Sequence, residues 1–70
     1  MNASTTGLKT AVYEHLARIG KALAHPRRLE LIDLLSQGPR TVEVLARHTG
    51  QSVANTSHHL QILRRARLVD

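Results

Sequence analysis

The apolar residues of the first third of the chain recur at the spacing of one helix face. They follow one another at steps of three or four residues, which is the repeat of an amphipathic α-helix. We therefore predict a first helix that begins at Leu8, and a flexible tail of small polar residues at 1–7. A continuous apolar stripe also implies a partner helix, either within the chain or from a second copy. The stripe consists of Leu8, Val12, Leu16, Ile19 and Leu23.

Proline and glycine punctuate the next stretch. Pro26 is well placed as the first residue of a helix, because the residue before a proline avoids helical angles and the missing N–H group is not needed there. A second helix is predicted over residues 26–36, heavily buried, with Leu29 on its inner face. It should end at the turn 37–40, which contains Gly38 and Pro39.

Two capped helices follow. Thr41 is a suitable N-cap for a short helix over residues 42–48, which Gly50 should end by taking a left-handed conformation. Ser52 should cap a longer helix over residues 53–66. Leu68 and Val69 could begin a strand.

A short capped helix, a turn around a glycine and a longer capped helix make a helix-turn-helix. The small Ala46 and the compact Thr56 fall where two crossing helices need little side-chain volume. The expected fold class is therefore all-α in this segment, a helix-turn-helix core of about four helices. In such a motif the second helix enters the major groove of DNA by its first turns.

Composition narrows the function classes. The chain has 70 residues, enough for one small domain. It has no Cys, Trp or Phe, and Tyr13 is its one aromatic residue, which disfavours disulfides and binders that stack single-stranded bases. A formal net charge of +5 suits a polyanionic partner, and no acidic residue lies between Glu43 and Asp70. No apolar run could form a membrane span or a signal peptide, so we expect a cytoplasmic protein.

Three stretches of the sequence resemble the ArsR/SmtB-type winged-helix repressors. They are residues 24–35 (AHPRRLELIDLL), 52–60 (SVANTSHHL) and 63–69 (LRRARLV), in this order and at the family's separation. The resemblance extends from about Tyr13 to Asp70 and is greatest to a branch in which a rhodanese-like domain follows. It implies that residues 8–70 are part of a winged helix-turn-helix domain whose wing hairpin and fifth helix come later in the chain. It also implies a sequence-specific transcriptional regulator, a repressor, that is a homodimer in its full-length form.

The sequence departs from the family's pattern at a few positions. Metal-sensing members often carry cysteine ligands in the third helix, and this chain has none there, so we expect no metal and no cofactor in this segment. Arg67 stands where glycine usually closes the recognition helix, and Gln51 replaces a usual leucine.

Helix geometry assigns the candidate site residues. If Thr56, Leu60 and Leu63 face inward, the opposite side of the fourth helix faces DNA. The residues predicted to contact bases are Val53, Ala54, Asn55, His58 and Gln61. The residues predicted to contact phosphates are Thr41, Ser52, Ser57, His59, Arg64 and Arg65. The residues predicted at the dimer interface are Leu8, Val12, Leu16 and Ile19.

Alternative interpretations stay open for several of these residues. Arg64 and Arg65 lie at a helix C-terminus, where the helix dipole favours cations without any DNA. His58 and His59 could suggest a metal site. They are adjacent, however, whereas two metal ligands on one helix need a spacing of three or four residues. No catalytic motif is present, so an enzyme is not expected. The main alternative is a helical module of the same fold that binds protein and not DNA. Acidic residues on the fourth helix would favour this alternative, and that helix has none.

Overall fold

A computed structural model describes residues 3–70, with side chains from Thr5 onward. The described part of the chain is all-α and contains no strand, in agreement with the predicted fold class. It is elongated, with extents of 50 × 20 × 16 Å. Its helices are α1 (Ala3–Leu23), α2 (Pro26–Ser36), α3 (Val42–Thr49) and α4 (Val53–Arg65).

Helix α1 begins five residues earlier than the apolar stripe indicated. It starts at Ala3 and not at Leu8, so the prediction of a tail is wrong for residues 3–7, and Met1 and Asn2 lie outside the described residues. No proline interrupts this segment, and Gly7 costs only about 1 kcal/mol in a helix interior. The Thr10 hydroxyl also donates to the Thr6 carbonyl at 3.0 Å, one turn back. The polar residues before the apolar stripe therefore extend the helix towards its N-terminus.

The predicted N-caps are confirmed. Thr41 Oγ1 accepts from the N–H of Val44 at 3.2 Å, and Ser52 Oγ accepts from the N–H of Asn55 at 3.0 Å. A third cap was not predicted: Nδ1 of His25 accepts from the N–H of Arg27 at 3.1 Å, directly before Pro26. Each cap satisfies a backbone donor that has no partner within its helix.

The C-termini of α3 and α4 close in the same way. Gly50 has φ 67°, and the next N–H, of Gln51, bonds to the Ala46 carbonyl at 3.0 Å. After α4, Arg67 has φ 59° and the N–H of Leu68 bonds to the Leu63 carbonyl at 2.9 Å. These bonds are those of a Schellman motif. Helix α3 includes one residue more than predicted, and α4 ends at Arg65, one residue earlier.

The core is small and aliphatic. Predicted inward residues of α3 and α4 are confirmed, since Leu45, Ala46, Thr56 and Leu63 are at most 4% exposed. The strand suggested at residues 68–69 is absent, because these side chains pack against the core without a partner strand. The fully apolar part of the core consists of Ala22, Leu31, Leu45, Leu60, Leu63 and Ala66.

Helix α2 is less buried than predicted. Leu29 is 50% exposed, and the helix buries only Leu31 and Arg28. Leu29 precedes Leu31 by two residues, which is about 200° around a helix. Helix α2 contacts the other helices on one side only. Its apolar residues occupy a wider part of the helix surface than that side, so some of them, such as Leu29, stay exposed.

Candidate nucleic-acid interface

Helices α3 and α4 pack as a helix-turn-helix unit around a small alanine and two threonines whose buried hydroxyls are hydrogen-bonded within their own helix. Ala46 is 4% exposed at the crossing, and Gly50 makes the turn. Thr56 is fully buried on α4, where its hydroxyl donates to the Ser52 carbonyl at 2.8 Å. Thr49, also buried, donates to the Leu45 carbonyl at 2.9 Å. Both buried hydroxyls are thus satisfied within their own helix, so the two helices can approach closely.

The outer side of α4 carries an exposed, mostly polar stripe at steps of four, three and four residues. It consists of Ala54, His58, Gln61 and Arg65, all of them solvent-exposed, and we call it the α4 stripe. Asn55 and Val53 are exposed on either side of its first turn. All residues predicted to contact bases are therefore accessible: Ala54, His58 and Gln61 lie opposite the buried Thr56 and Leu63, and Val53 and Asn55 lie on the two flanks of that face.

The predicted phosphate-contacting residues separate into different environments. Thr41 and Ser52 are exposed at the N-termini of α3 and α4, where backbone N–H groups and the helix dipole favour an anion. Ser57 is half-buried. Arg64 lies away from the α4 stripe and donates from Nε to the carbonyl of Asp70 at 3.0 Å, whereas Arg65 is the last member of the stripe.

His59 is largely buried, and one of its two ring nitrogens is bound within the protein. It is 8% exposed, and its Nδ1 lies 3.1 Å from Nη1 of Arg28. A guanidinium can only donate, so this nitrogen accepts. The ring of His25 also lies against it, with centroids 4.5 Å apart. His59 lies next to Leu60 and one turn before Leu63, both of which are in the core, so most of its ring faces the interior. Its Nε2 remains accessible to solvent, and the phosphate contact stays a prediction.

The partner of His59, Arg28, joins three helices. It is 9% exposed; its Nε donates to the Ala22 carbonyl at 2.7 Å and its Nη2 to the Lys21 carbonyl at 3.0 Å. These are end-of-helix carbonyls of α1 that have no partner within the helix. Sequence analysis missed this role. The available signal was position, because Arg28 precedes the buried Leu31 by three residues and so shares its face.

The environment of His59 opposes its protonation. Burial lowers its pKa below the usual histidine value of 6.5, and the charges of His25, Arg28 and His58 lower it further. A neutral ring is also what the hydrogen bond requires, because a protonated imidazole has no acceptor for Arg28. His59 therefore connects α4 to Arg28 in its neutral form.

Helix α1 leaves most of its apolar stripe uncovered. Leu8 is 68% exposed, Val12 48% and Leu16 57%, while Ile19 is half-buried and Ala22 is fully buried. Only the C-terminal part of the helix packs on the body of the domain. The residues predicted at a dimer interface thus lie on one continuous apolar surface.

Residues 25–70 match the profile of the family described as bacterial regulatory protein, arsR family. The chain belongs to this family. The match includes all of α2, α3 and α4, together with the Arg28–His59 bond and the α4 stripe. The family resemblance predicted from the sequence is therefore confirmed, while the branch with a rhodanese-like domain stays a prediction.

Known proteins of this type are similar to the chain over most of its length. The HTH-type transcriptional regulator Rv0324 of Mycobacterium tuberculosis is 44% identical over 97% of the chain, which spans 30% of that protein. The transcriptional repressor SdpR of Bacillus subtilis is 39% identical over 70% of the chain and 54% of its own length. The chain thus spans 30% of one of these relatives and 54% of the other.

A solved structure has the same fold. It is the solution NMR structure of the homodimeric winged helix-turn-helix DNA-binding domain of Mb0332 from Mycobacterium bovis. It is 46% identical to this chain, with a TM-score of 0.78 over 83% of this chain and 54% of the other.

Neither a metal site nor a membrane span is found in the described residues of this arsR-family chain. Across residues 3–70, no three His, Cys, Asp or Glu side chains are grouped so that they could hold a metal ion, even where His25, His58 and His59 meet. None of the described helices has the length and apolar character needed to cross a membrane.

Proposed function

We propose that the protein is a transcriptional regulator, a repressor, that binds duplex DNA at a specific sequence and has no catalytic role. The carrying observation is the α4 stripe: an exposed helix face without acidic residues, beginning at a capped N-terminus, in a chain of the arsR family. A major groove about 12 Å wide admits one helix, and this face is the one that α3 leaves uncovered. The protein acts in the cytoplasm, where the DNA is.

Each part of the interface has a separate task. Asn55 is the best reader of a base, because a carboxamide can donate to and accept from adenine in one plane. Val53 and Ala54 offer apolar contacts to a thymine methyl group, and His58 and Gln61 offer polar contacts further along the groove. Thr41, Ser52 and Ser57, with Arg64 and Arg65, contact phosphates, which fix the position of the protein without reading the sequence.

The regulator is a homodimer through the apolar stripe of α1. Three of its large side chains are about half exposed or more, a surface that a second copy would remove from water. The homodimeric domain of Mb0332, at 46% identity, supports this assembly. Two copies related by a two-fold axis would place two α4 helices in successive major grooves of a symmetric site.

The decisive experiment compares two variants of the full chain on its own upstream DNA. Asn55→Ala should lose about 1–3 kcal/mol of discrimination at one base pair, while other positions of the site keep their preference. Arg65→Ala should weaken binding to all sequences alike and reduce the slope of log affinity against log salt by about one. Fluorescence anisotropy over a set of single-base-pair substitutions measures both effects.

Two results would contradict the proposal. If Asn55→Ala lowered affinity uniformly and kept base preference intact, α4 would not lie in the groove in the proposed orientation. If the wild-type chain bound no duplex at low salt, the protein-binding alternative would replace the regulator.

A further inference from the structure

Two adjoining clefts separate α1 from the C-terminal end of α4, and basic side chains line both. The first, with a volume of about 230 Å³, is bordered by Arg18 and Lys21 of α1 and by Arg65 of α4, with Ile62 and Ala66 beneath them. The second, of about 630 Å³, is more open. We call the two together the basic cleft; besides the buried Arg28 at its base, its basic residues are His15, Arg18, Lys21, Arg65 and Arg67.

These charges are not neutralised by the described part of the chain. No carboxylate there lies within 4.0 Å of Arg18, Lys21, Arg65 or Arg67. The acidic residues nearest in sequence are Asp70, three residues after Arg67, and Glu14, four residues before Arg18, and neither lines the cleft. Arg28, which lies at the base, directs its guanidinium to the carbonyls of α1 and to His59.

Helix dipoles do not account for this arrangement. Lys21 and Arg65 each lie in the last turn of their own helix, where a cation is favoured. That effect would be the same if the two helix ends pointed apart. Instead the fold places both helix ends, with Arg18, around one cleft, where all three positive charges would attract a bound anion.

The position of the cleft relative to the α4 stripe identifies the anion. Arg65 follows Ala54 by eleven residues, which is about 16 Å along a helix at 1.5 Å per residue. That distance exceeds the major-groove width of about 12 Å. When the first turns of α4 lie in the groove, Arg65 has therefore reached its edge, where the phosphates of the flanking strand begin.

We propose that the basic cleft binds phosphates of the DNA strand that flanks the major groove occupied by α4, so that α1 adds Arg18 and Lys21 to the DNA contact. This inference rests on the proposed function. It gives α1 a second task besides dimerisation, and it extends the contacted DNA beyond the base pairs that α4 reads.

The test removes the two charges of α1 and follows salt dependence. The double variant Arg18→Gln, Lys21→Gln in the full chain should keep the base preference of the wild type. Its slope of log affinity against log salt should fall by about two, because each phosphate contact contributes about 0.9 on B-DNA. The reduction should appear on a duplex with flanking base pairs and vanish on one trimmed to the groove that α4 reads.

Two control variants isolate the cleft. Lys9→Gln removes one charge from the same helix, about two and a half turns before Arg18 and hence on the opposite side of the helix, outside the cleft. It should leave the slope unchanged. Arg18→Lys with Lys21→Arg keeps both charges and should retain the wild-type slope. Thermal melting shows that each variant is folded before its affinity is measured.

Two outcomes would overturn the inference and leave the proposed function standing. One is a slope for the double variant equal to that of Lys9→Gln while wild-type binding to DNA is intact. The other is saturable binding of inorganic phosphate or pyrophosphate at the cleft that does not compete with flanked DNA, which would assign the cleft to a free anion. Absence of wild-type binding to any duplex would instead remove the proposed function itself.

Discussion

Arg67 closes α4 in a backbone conformation that glycine adopts at no steric cost. Its φ is 59°, and a side chain with a Cβ loses about 1–2 kcal/mol in this left-handed region. The Schellman motif holds the residue there, because the N–H of Leu68 donates to the carbonyl of Leu63 at 2.9 Å. Arg67 nevertheless places a positive charge in the basic cleft, which a glycine at this position would not do.

Arg67→Gly should stabilise the protein and weaken its binding to DNA. Relief of the left-handed strain should add roughly 1 kcal/mol to the free energy of unfolding. For a domain of this size that corresponds to a rise in Tm of about 4–8 °C. Arg67→Ala is the matched control, since it removes the same charge and leaves the strain, and its Tm should not rise. Differential scanning calorimetry measures the Tm of both variants. A lower Tm for Arg67→Gly than for the wild type would contradict the predicted relief of strain.

At the scale of elements, the Arg28–His59 bond determines how α4 is held against α1 and α2. Arg28 belongs to α2, and its guanidinium joins two carbonyls at the end of α1 to one ring nitrogen on α4. The helix that is proposed to read DNA is thereby connected to the helix that is proposed to dimerise. Burial makes this connection sensitive to the charge of His59.

Stability should fall with acid because of His59. Its pKa in the folded protein lies below the value of 6.5 that it has when unfolded, so the folded state binds fewer protons between these two values. The contribution of this group is complete above the unfolded pKa. It decreases as the pH falls through 6.5 towards the lower folded pKa, where protonation leaves Arg28 without its acceptor.

Urea unfolding between pH 8 and pH 5 measures this dependence. His59→Asn is the comparison, because an amide oxygen can accept from Arg28 and does not titrate. The stability of the variant should change less over this range than that of the wild type, with the other histidines common to both. Identical pH profiles would show that His59 does not carry the effect.

The whole molecule has an exposed apolar surface along the free part of α1. The helix has 21 residues, about 31 Å at 1.5 Å per residue, and only its last turns contact the other helices of the domain. Leu8, Val12 and Leu16 lie on the part that projects. A second copy that covered this surface would bring the two-fold axis of the regulator alongside α1.

Leu16→Glu in the full chain should shift the protein from dimer to monomer at micromolar concentration, because a carboxylate in the middle of an apolar interface loses its hydration without a partner. Ala17→Glu, on another side of α1, adds the same charge and should leave the dimer intact. Sedimentation velocity separates the two species. A Leu16→Glu variant that remains as dimeric as the wild type would place the interface elsewhere.

The sequence by itself determined the four helices, apart from the start of α1, and the exposed face of α4. The caps Thr41 and Ser52, the turn at Gly50 and the left-handed Arg67 depend on residues at most five positions apart, and such local interactions are readable from spacing. The exposed face of α4 followed from the 3.6-residue period once Thr56, Leu60 and Leu63 were placed inside. The bounds of α2 were likewise readable from local signals. The family resemblance was readable from the residues of three short stretches of the sequence.

Only the tertiary structure decided which side chains from different helices meet. His59 was assigned to phosphates, and its burial by Arg28 depends on two residues 31 positions apart in the chain. The exposure of Leu29 and the meeting of Arg18 with Arg65 depend likewise on the angles at which the helices pack. The physical reason is that a helical period fixes the direction of a side chain around its own axis, whereas the neighbour in that direction is fixed by the packing of the whole core.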